Sequence, residues 1–75
     1  MNVRTTLSVV VPLRNEEAVL SEFHRRLMKA IDATPGGCEV IYVDDGSTDR
    51  TRMLLEQASA RDPRVGFIRL SRNFG

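Results

Sequence analysis

The sequence predicts an α/β fold in which three parallel strands alternate with two helices, in the order β-α-β-α-β. Short runs rich in Val and Ile each end in polar or turn-forming residues, which is typical of buried parallel strands. Between these runs, apolar residues recur every three or four positions, which is typical of amphipathic helices. Crossovers between parallel strands are right-handed in about 98% of cases, so we expect strand order 3-2-1 with both helices on one face.

The first strand is predicted over Leu7–Val11, and Pro12 should end its hydrogen bonding because proline lacks an N–H. Asn15 is the expected N-cap of a helix from about Glu16 to Ala33, with carboxylates in its first turn. Pro35-Gly36-Gly37 should end that helix. Its apolar face is predicted to contain Leu20, Phe23, Leu27 and Ile31.

The second strand is predicted over Glu39–Val43, and Gly46 should allow a tight turn with positive φ. The candidates for the N-cap of the second helix are Ser47, Thr48 and Asp49. Its apolar side should contain Met53, Leu54, Leu55 and Ala58. Pro63 should end this helix. A third strand over Val65–Leu70 carries Arg69, which indicates a less buried position at a sheet edge.

The length of 75 residues allows one domain at most. In the predicted arrangement one face of the sheet carries no helix and the first strand has an open edge. The valine-rich strands nevertheless look apolar on both sides. We therefore expect residues 1–75 to be the first half of a larger doubly wound domain, and to self-associate when expressed alone.

Composition excludes several classes of function. The net charge of +1 and an aromatic content of 5% do not favour a nucleic-acid partner. Cys38 is the single cysteine, so no internal disulfide or Cys/His metal site is expected, and a reduced, cytoplasmic setting fits. The apolar run Leu7–Leu13 is too short to span a bilayer, and no signal peptide is predicted.

The three strand ends should meet at one edge of the sheet, and polar residues follow each of them. Asp44 and Asp45 could accept hydrogen bonds from a base or a ribose, while Arg14 and Arg72 could meet a pyrophosphate. Two helix N-termini nearby would favour an anion. A nucleotide is therefore a natural ligand, and the alternative is that the two aspartates only cap their turn.

Two other nucleotide- or phosphate-related folds fit poorly. The dinucleotide-binding fingerprint needs glycines in the first strand–helix turn, but residues 12–17 contain none. A phospho-receiver domain needs an acidic pair after the first strand and an aspartate after the third, and both are missing.

Three segments together resemble the start of family-two glycosyltransferases with the Rossmann-like glycosyltransferase-A fold. They are Ser8–Glu17 (SVVVPLRNEE), Val43–Thr51 (VDDGSTDRT) and Leu70–Gly75 (LSRNFG). The last segment is similar to the polyprenyl-phosphate branch, which includes dolichol-phosphate mannose synthase and undecaprenyl-phosphate glycosyltransferases. Many members carry an aromatic residue where this chain has Arg14.

The resemblance implies that residues 1–75 are an incomplete N-terminal, nucleotide-binding part of an inverting enzyme. Its donor would be a UDP- or GDP-sugar and its acceptor a polyprenyl phosphate, at the cytoplasmic face of the membrane. Asp44 would accept hydrogen bonds from the base, so Asp44→Asn should weaken nucleotide binding. The implied nucleotide-binding residues are Pro12, Arg14, Glu16, Asp44, Asp45, Gly46, Ser47 and Arg72.

The resemblance also implies that residues 1–75 contain neither the catalytic base nor the metal ligands of such an enzyme. The catalytic base and the Asp-x-Asp ligands of a divalent metal, Mg or Mn, would lie beyond residue 75. The alternative is a truncated, non-catalytic nucleotide-binding or interaction module, because a chain of this length could bind a nucleotide without transferring a sugar.

Overall fold

The computed structural model describes residues 5–70, and the side chains of residues 7–70. The order of elements is β1 (Thr5–Leu13), α1 (Glu17–Asp32), β2 (Gly37–Asp44), α2 (Thr51–Arg61) and β3 (Val65–Arg69). β2 lies in the centre and pairs in parallel with β1 on one side and β3 on the other. The predicted fold class and strand order are confirmed.

β1 is longer than predicted, and Pro12 lies inside it rather than ending it. Pro12 stands opposite Val43 in the pairing with β2. In the described sheet β1 pairs on one side only, and an edge strand tolerates proline where the missing N–H would face away from its partner. The expectation that Pro12 stops the ladder was therefore wrong.

The predicted helix caps were also wrong in position. The N-cap of α1 is Glu16 and that of α2 is Arg50, and neither side chain caps its own helix. Asn15 instead adopts a left-handed backbone conformation with φ of 52°. Side chains of the loop before α2 satisfy the start of α1, whereas Glu17 and the neighbouring Asp49 satisfy the start of α2.

Both helices pack on the same face of the sheet, as predicted. The side chains of β2 alternate, and every second one is buried beneath the helices. The buried apolar core consists of Leu20, Ile31, Cys38, Val40, Tyr42, Leu55 and Val65. Phe23 was predicted to join this core but is 42% exposed, because it lies beside the outer edge of β1.

The opposite face of the sheet is not covered by any described element. Val10 and Ile68 are 58% and 52% exposed, and Ile41 and Val43 lie half-buried on the β2 strand between them. A Cβ added at Gly66 would meet nothing within 4 Å. An apolar sheet face therefore remains open to solvent within residues 5–70.

We expect residues 1–75 expressed alone to self-associate through this open face and the free edge of β1. Burying a Val- or Ile-sized side chain contributes about 1.5–3 kcal/mol, and unpaired strand edges favour association. In analytical ultracentrifugation, the double variant Val10→Thr/Ile68→Thr should associate less than the unmodified chain. Val19→Thr, at a 55% exposed position on α1, is the matched control. A monodisperse monomer of the unmodified chain would contradict this expectation.

A hydrogen bond between α1 and the centre of the sheet holds the core in place. The hydroxyl of Tyr42 lies 2.7 Å from Nδ1 of His24. Burial raises the pKa of Tyr42 to about 12, so its hydroxyl stays protonated and can donate to a neutral imidazole. Desolvation lowers the pKa of His24, and the nearby Asp62 carboxylate opposes that shift. His24 is thus a packing residue, as the sequence indicated.

His24 should make the stability of the fold depend on pH. Its pKa is lower in the folded state than in the unfolded chain, so protonation favours unfolding. Stability should therefore be complete above about pH 6.5 and fall as pH decreases below it. The chain has a single histidine, so His24→Gln should remove the imidazole part of this slope in urea unfolding between pH 5 and 8. An unchanged slope would contradict the assignment.

Among residues 5–70, neither helix has both the length and the apolar character needed to cross a membrane.

Candidate functional site

The carboxyl ends of the three strands meet at one edge of the sheet, as predicted. Leu13 of β1 and Arg69 of β3 both stand opposite Asp44 of β2. The loops that leave this edge carry most of the predicted site residues. Arg72 lies outside the described residues.

Asp44 is completely buried beneath this edge. Its Oδ1 accepts a hydrogen bond of 3.0 Å from the backbone N–H of Ser47. Its Oδ2 is buried and has no hydrogen-bond partner among the described residues. Asp44 therefore caps the turn, and its carboxylate is not accessible to a ligand in this conformation.

Asp45, the next residue, is exposed. Its backbone N–H donates a hydrogen bond of 3.0 Å to the carbonyl oxygen of Leu13, which fixes the start of its loop against β1. Gly46 follows with φ of 76°, the positive value predicted for this turn. Of the two adjacent aspartates, Asp45 is thus the one that presents its carboxylate to solvent.

Residues 15–17 and 47–51 bind each other, and we call them the interlocked loops. Asn15 makes the first contacts between them. Its Oδ1 accepts hydrogen bonds from the backbone N–H groups of Thr48 at 2.8 Å and Asp49 at 3.3 Å. Its own backbone N–H donates to Oγ of Ser47 at 2.9 Å. One asparagine therefore contacts three consecutive residues of the other loop.

The next two residues continue the same pattern. The N–H of Glu16 donates to Oγ1 of the fully buried Thr51 at 2.9 Å. The N–H of Glu17 donates to Oδ2 of Asp49 at 3.3 Å, and Oε1 of Glu17 accepts from the N–H of Arg50 at 2.9 Å. Hydrogen bonding, chiefly to the Thr51 side chain, lowers the pKa of Asp49. The start of α1 is thus capped from the other loop. The start of α2 is capped by Glu17 of the other loop and by Asp49 of its own loop, whose Oδ1 accepts from the N–H of Thr51 at 2.9 Å.

These bonds use the N–H groups that an anion would otherwise contact. The backbone N–H groups of all five residues 47–51 donate to side-chain oxygens of the protein. The acceptors are an amide and three carboxylates, which belong to Asn15, Glu17, Asp44 and Asp49. The two helix N-termini do meet, as predicted, but their donors are already paired.

Pro12, Arg14 and Glu16 are all exposed beside this edge. Arg14 makes no hydrogen bond or ion pair with any residue of the described range. Pro12 and Glu16 also line a groove of about 560 Å³ between β1 and α1, whose other lining residues are largely apolar. The structure therefore brings Arg14 and Asp45 to the same edge of the sheet as free charged groups.

Within residues 5–70, no group of three or more His, Cys, Asp or Glu side chains is placed to hold a metal ion.

The sequence did not predict the hydrogen bonds between the interlocked loops. The side chains that form these bonds but were not assigned this role are those of Asn15, Glu17, Asp49 and Thr51. A signal for Asn15 was available, because asparagine adopts the left-handed conformation more readily than most residues.

Comparison with known proteins shows the family. The sequence model of "Glycosyl transferase family 2" matches residues 8–75. The chain is 47% identical over 68 residues to "Uncharacterized glycosyltransferase YkcC" of Bacillus subtilis (strain 168), covering 91% of this chain and 21% of that protein.

Two further relatives have names that mention undecaprenyl phosphate or bactoprenol. The "Undecaprenyl-phosphate 4-deoxy-4-formamido-L-arabinose transferase" of Edwardsiella ictaluri is 41% identical, covering 92% of this chain and 22% of that protein. The "Bactoprenol glucosyl transferase" of Shigella phage SfV is 32% identical, again covering 92% and 22%. The chain thus spans about a fifth of the length of these relatives. Its three parallel strands and two helices form half of a Rossmann-like glycosyltransferase-A fold, and the chain belongs to glycosyl transferase family 2.

Proposed function

We propose that residues 1–75 form the donor-nucleotide-binding part of an inverting glycosyltransferase that transfers a sugar from a UDP- or GDP-sugar to a polyprenyl phosphate. The observation that carries the proposal is the exposed Asp45 carboxylate at the edge where three parallel strands end. Ligands of open α/β sheets bind at this edge. Two relatives whose names specify undecaprenyl phosphate and bactoprenol support the choice of acceptor.

In this proposal Asp45, rather than Asp44, accepts hydrogen bonds from the base or the ribose. Asp44 holds the turn from beneath through the N–H of Ser47. The unpaired guanidinium of Arg14 can stack on a base or meet a phosphate, because its planar face and its donors serve either contact. Pro12, Glu16, Gly46 and Ser47 shape the surroundings of that nucleotide.

The diphosphate requires groups that the interlocked loops do not supply. Their backbone N–H donors are paired within the protein and most of the acceptors are carboxylates. We therefore assign the diphosphate to Arg14, to Arg72 and to a divalent cation whose ligands lie outside residues 5–70. The catalytic base is placed outside them as well.

The proposed reaction is a substitution at the anomeric carbon of the sugar, and it involves no change of oxidation state. A phosphate oxygen of the lipid attacks the anomeric carbon, the bond from that carbon to the diphosphate oxygen breaks, and the nucleoside diphosphate leaves. The products are a polyprenyl-phosphate sugar and UDP or GDP. We place this reaction at the cytoplasmic face of the membrane, where nucleotide sugars are available.

A transfer assay tests the proposal. The full-length protein is incubated with radiolabelled UDP- and GDP-sugars and undecaprenyl phosphate, and label in the organic phase is counted. We expect donor-dependent label that disappears when the lipid is omitted and falls strongly in Asp45→Asn. No transfer from any donor would contradict the proposal.

The second candidate is a non-catalytic nucleotide-binding or interaction module. It would bind a nucleotide through the same exposed Asp45 and Arg14 without transferring a sugar. The coding sequence after Gly75 discriminates the two candidates. An in-frame Asp-x-Asp motif favours the enzyme, whereas a stop codon favours the module.

A further inference from the structure

We propose that Asn15 is a positioning residue that sets the distance between the two nucleotide-binding loops, although it need not touch the nucleotide. The inference rests on the proposed function and adds a residue to which no binding role has been given. It is carried by the hydrogen bonds and the backbone conformation of Asn15 together with its place between Arg14 and Glu16.

The amide of Asn15 has a task that few side chains could perform. Its Oδ1 accepts the N–H groups of Thr48 and Asp49, while the backbone N–H of Asn15 donates to Oγ of Ser47. These three residues follow Asp45 and Gly46 directly, so the contact fixes the loop that carries the exposed carboxylate. Arg14 is the preceding neighbour of Asn15, so the same contact fixes the loop that carries the free guanidinium.

The backbone of Asn15 contributes separately from its side chain. Its φ of 52° lies in the left-handed region, which asparagine, aspartate and glycine tolerate better than alanine does. Side-chain and backbone contributions can therefore be separated by substitution. Asn15→Gly keeps the conformation and loses the acceptor, Asn15→Asp keeps both, and Asn15→Ala loses both.

The test measures nucleotide affinity of the full-length protein by isothermal titration calorimetry with UDP and GDP. Losing two hydrogen bonds should weaken binding of the preferred nucleotide about tenfold in Asn15→Gly, and further in Asn15→Ala. Asn15→Asp should bind more tightly than Asn15→Gly. Thr34→Ala is the control, because it removes a hydrogen bond of 2.8 Å at the far end of α1.

Two readouts separate positioning from general destabilisation. In the transfer assay, Asn15→Gly should raise the KM for the donor while leaving kcat and the KM for the lipid within about twofold. The reason is that the substitution weakens binding of the nucleotide equally in the ground state and in the transition state. Its affinity for the nucleoside monophosphate should fall as much as its affinity for the diphosphate. Circular dichroism confirms that each variant is folded, and the milder Asn15→Ser replaces Asn15→Gly if the latter is not.

Each outcome has a distinct meaning. If the folded variant, Asn15→Gly or its replacement Asn15→Ser, binds the nucleotide as tightly as the wild type does, the inference is overturned and the proposed function stands. A fall in kcat with unchanged donor KM also overturns it. If the wild type binds neither UDP nor GDP, the proposed function fails and the inference fails with it.

Discussion

Asp45→Asn is expected to weaken binding of UDP or GDP about 10- to 150-fold, because a hydrogen bond to a charged group contributes about 1.5–3 kcal/mol. The exposed carboxylate of Asp45 is the acceptor that a base or ribose can reach. The substitution keeps the shape of the side chain and replaces one acceptor oxygen with a donor. Calorimetric titration of the full-length protein with both nucleotides measures the effect.

Asp44→Asn is the matched comparison, because the two aspartates are adjacent and the substitution is the same. The sequence predicted a direct loss of binding from this change. The structure instead predicts a smaller loss, since Asp44 is buried and the asparagine oxygen can still accept from the N–H of Ser47. A larger loss at Asp44 than at Asp45 would show that the Asp44 side chain turns toward the ligand.

Leu55→Ala is expected to destabilise the fold by about 2–5 kcal/mol, which is the usual cost of a large-to-small change in a packed core. Leu55 is 1% exposed and connects α2 to the sheet. Total stabilities of small domains are about 5–15 kcal/mol, so this change should remove a large fraction of the stability. Urea unfolding followed by circular dichroism measures the loss.

Met53→Ala provides the control on the same helix. Met53 is 37% exposed, so its truncation removes less buried surface and should lower the unfolding midpoint much less. Equal losses at positions 53 and 55 would mean that α2 does not pack on the sheet through Leu55.

The parts of the fold that depend on local pattern were predictable. Runs rich in Val and Ile located the first two strands, and a partly alternating run located the third. The right-handed crossover rule gave their order and the shared face of the helices. Gly46 was correctly expected to have positive φ. The error at Pro12 arose because a proline ends a central strand but not necessarily an edge strand, and sequence alone did not distinguish the two.

The parts that depend on distant neighbours were not predictable. Asn15 looked like the cap of the helix that follows it, because local capping is the usual role of such a residue. Its partners are more than 30 positions away. Phe23 has helical spacing with Leu20 and Ile31, but periodicity does not say which flank of the stripe the sheet covers.

To predict the different roles of Asp44 and Asp45, one must know which face of β2 the helices cover. Its buried positions are Cys38, Val40, Tyr42 and Asp44, every second residue, and Asp44 continues that alternation. Because the strand was read as apolar on both sides, the alternation could not be assigned to a face. Once the helices cover one face, Asp44 must point inward and Asp45 begins the loop.

The interlocked loops have a consequence for how the site forms. Their hydrogen bonds join residues 32 to 35 positions apart. Closing a chain segment of that length costs entropy once, and each further bond between the same two segments adds little to that cost. The bonds should therefore form together, when β1 pairs with β2, and break together. We expect the amides of residues 48–50, which donate to the other loop, to show the same opening free energy in hydrogen exchange. They should behave as a single cooperative unit with the sheet, rather than as a flexible loop above it.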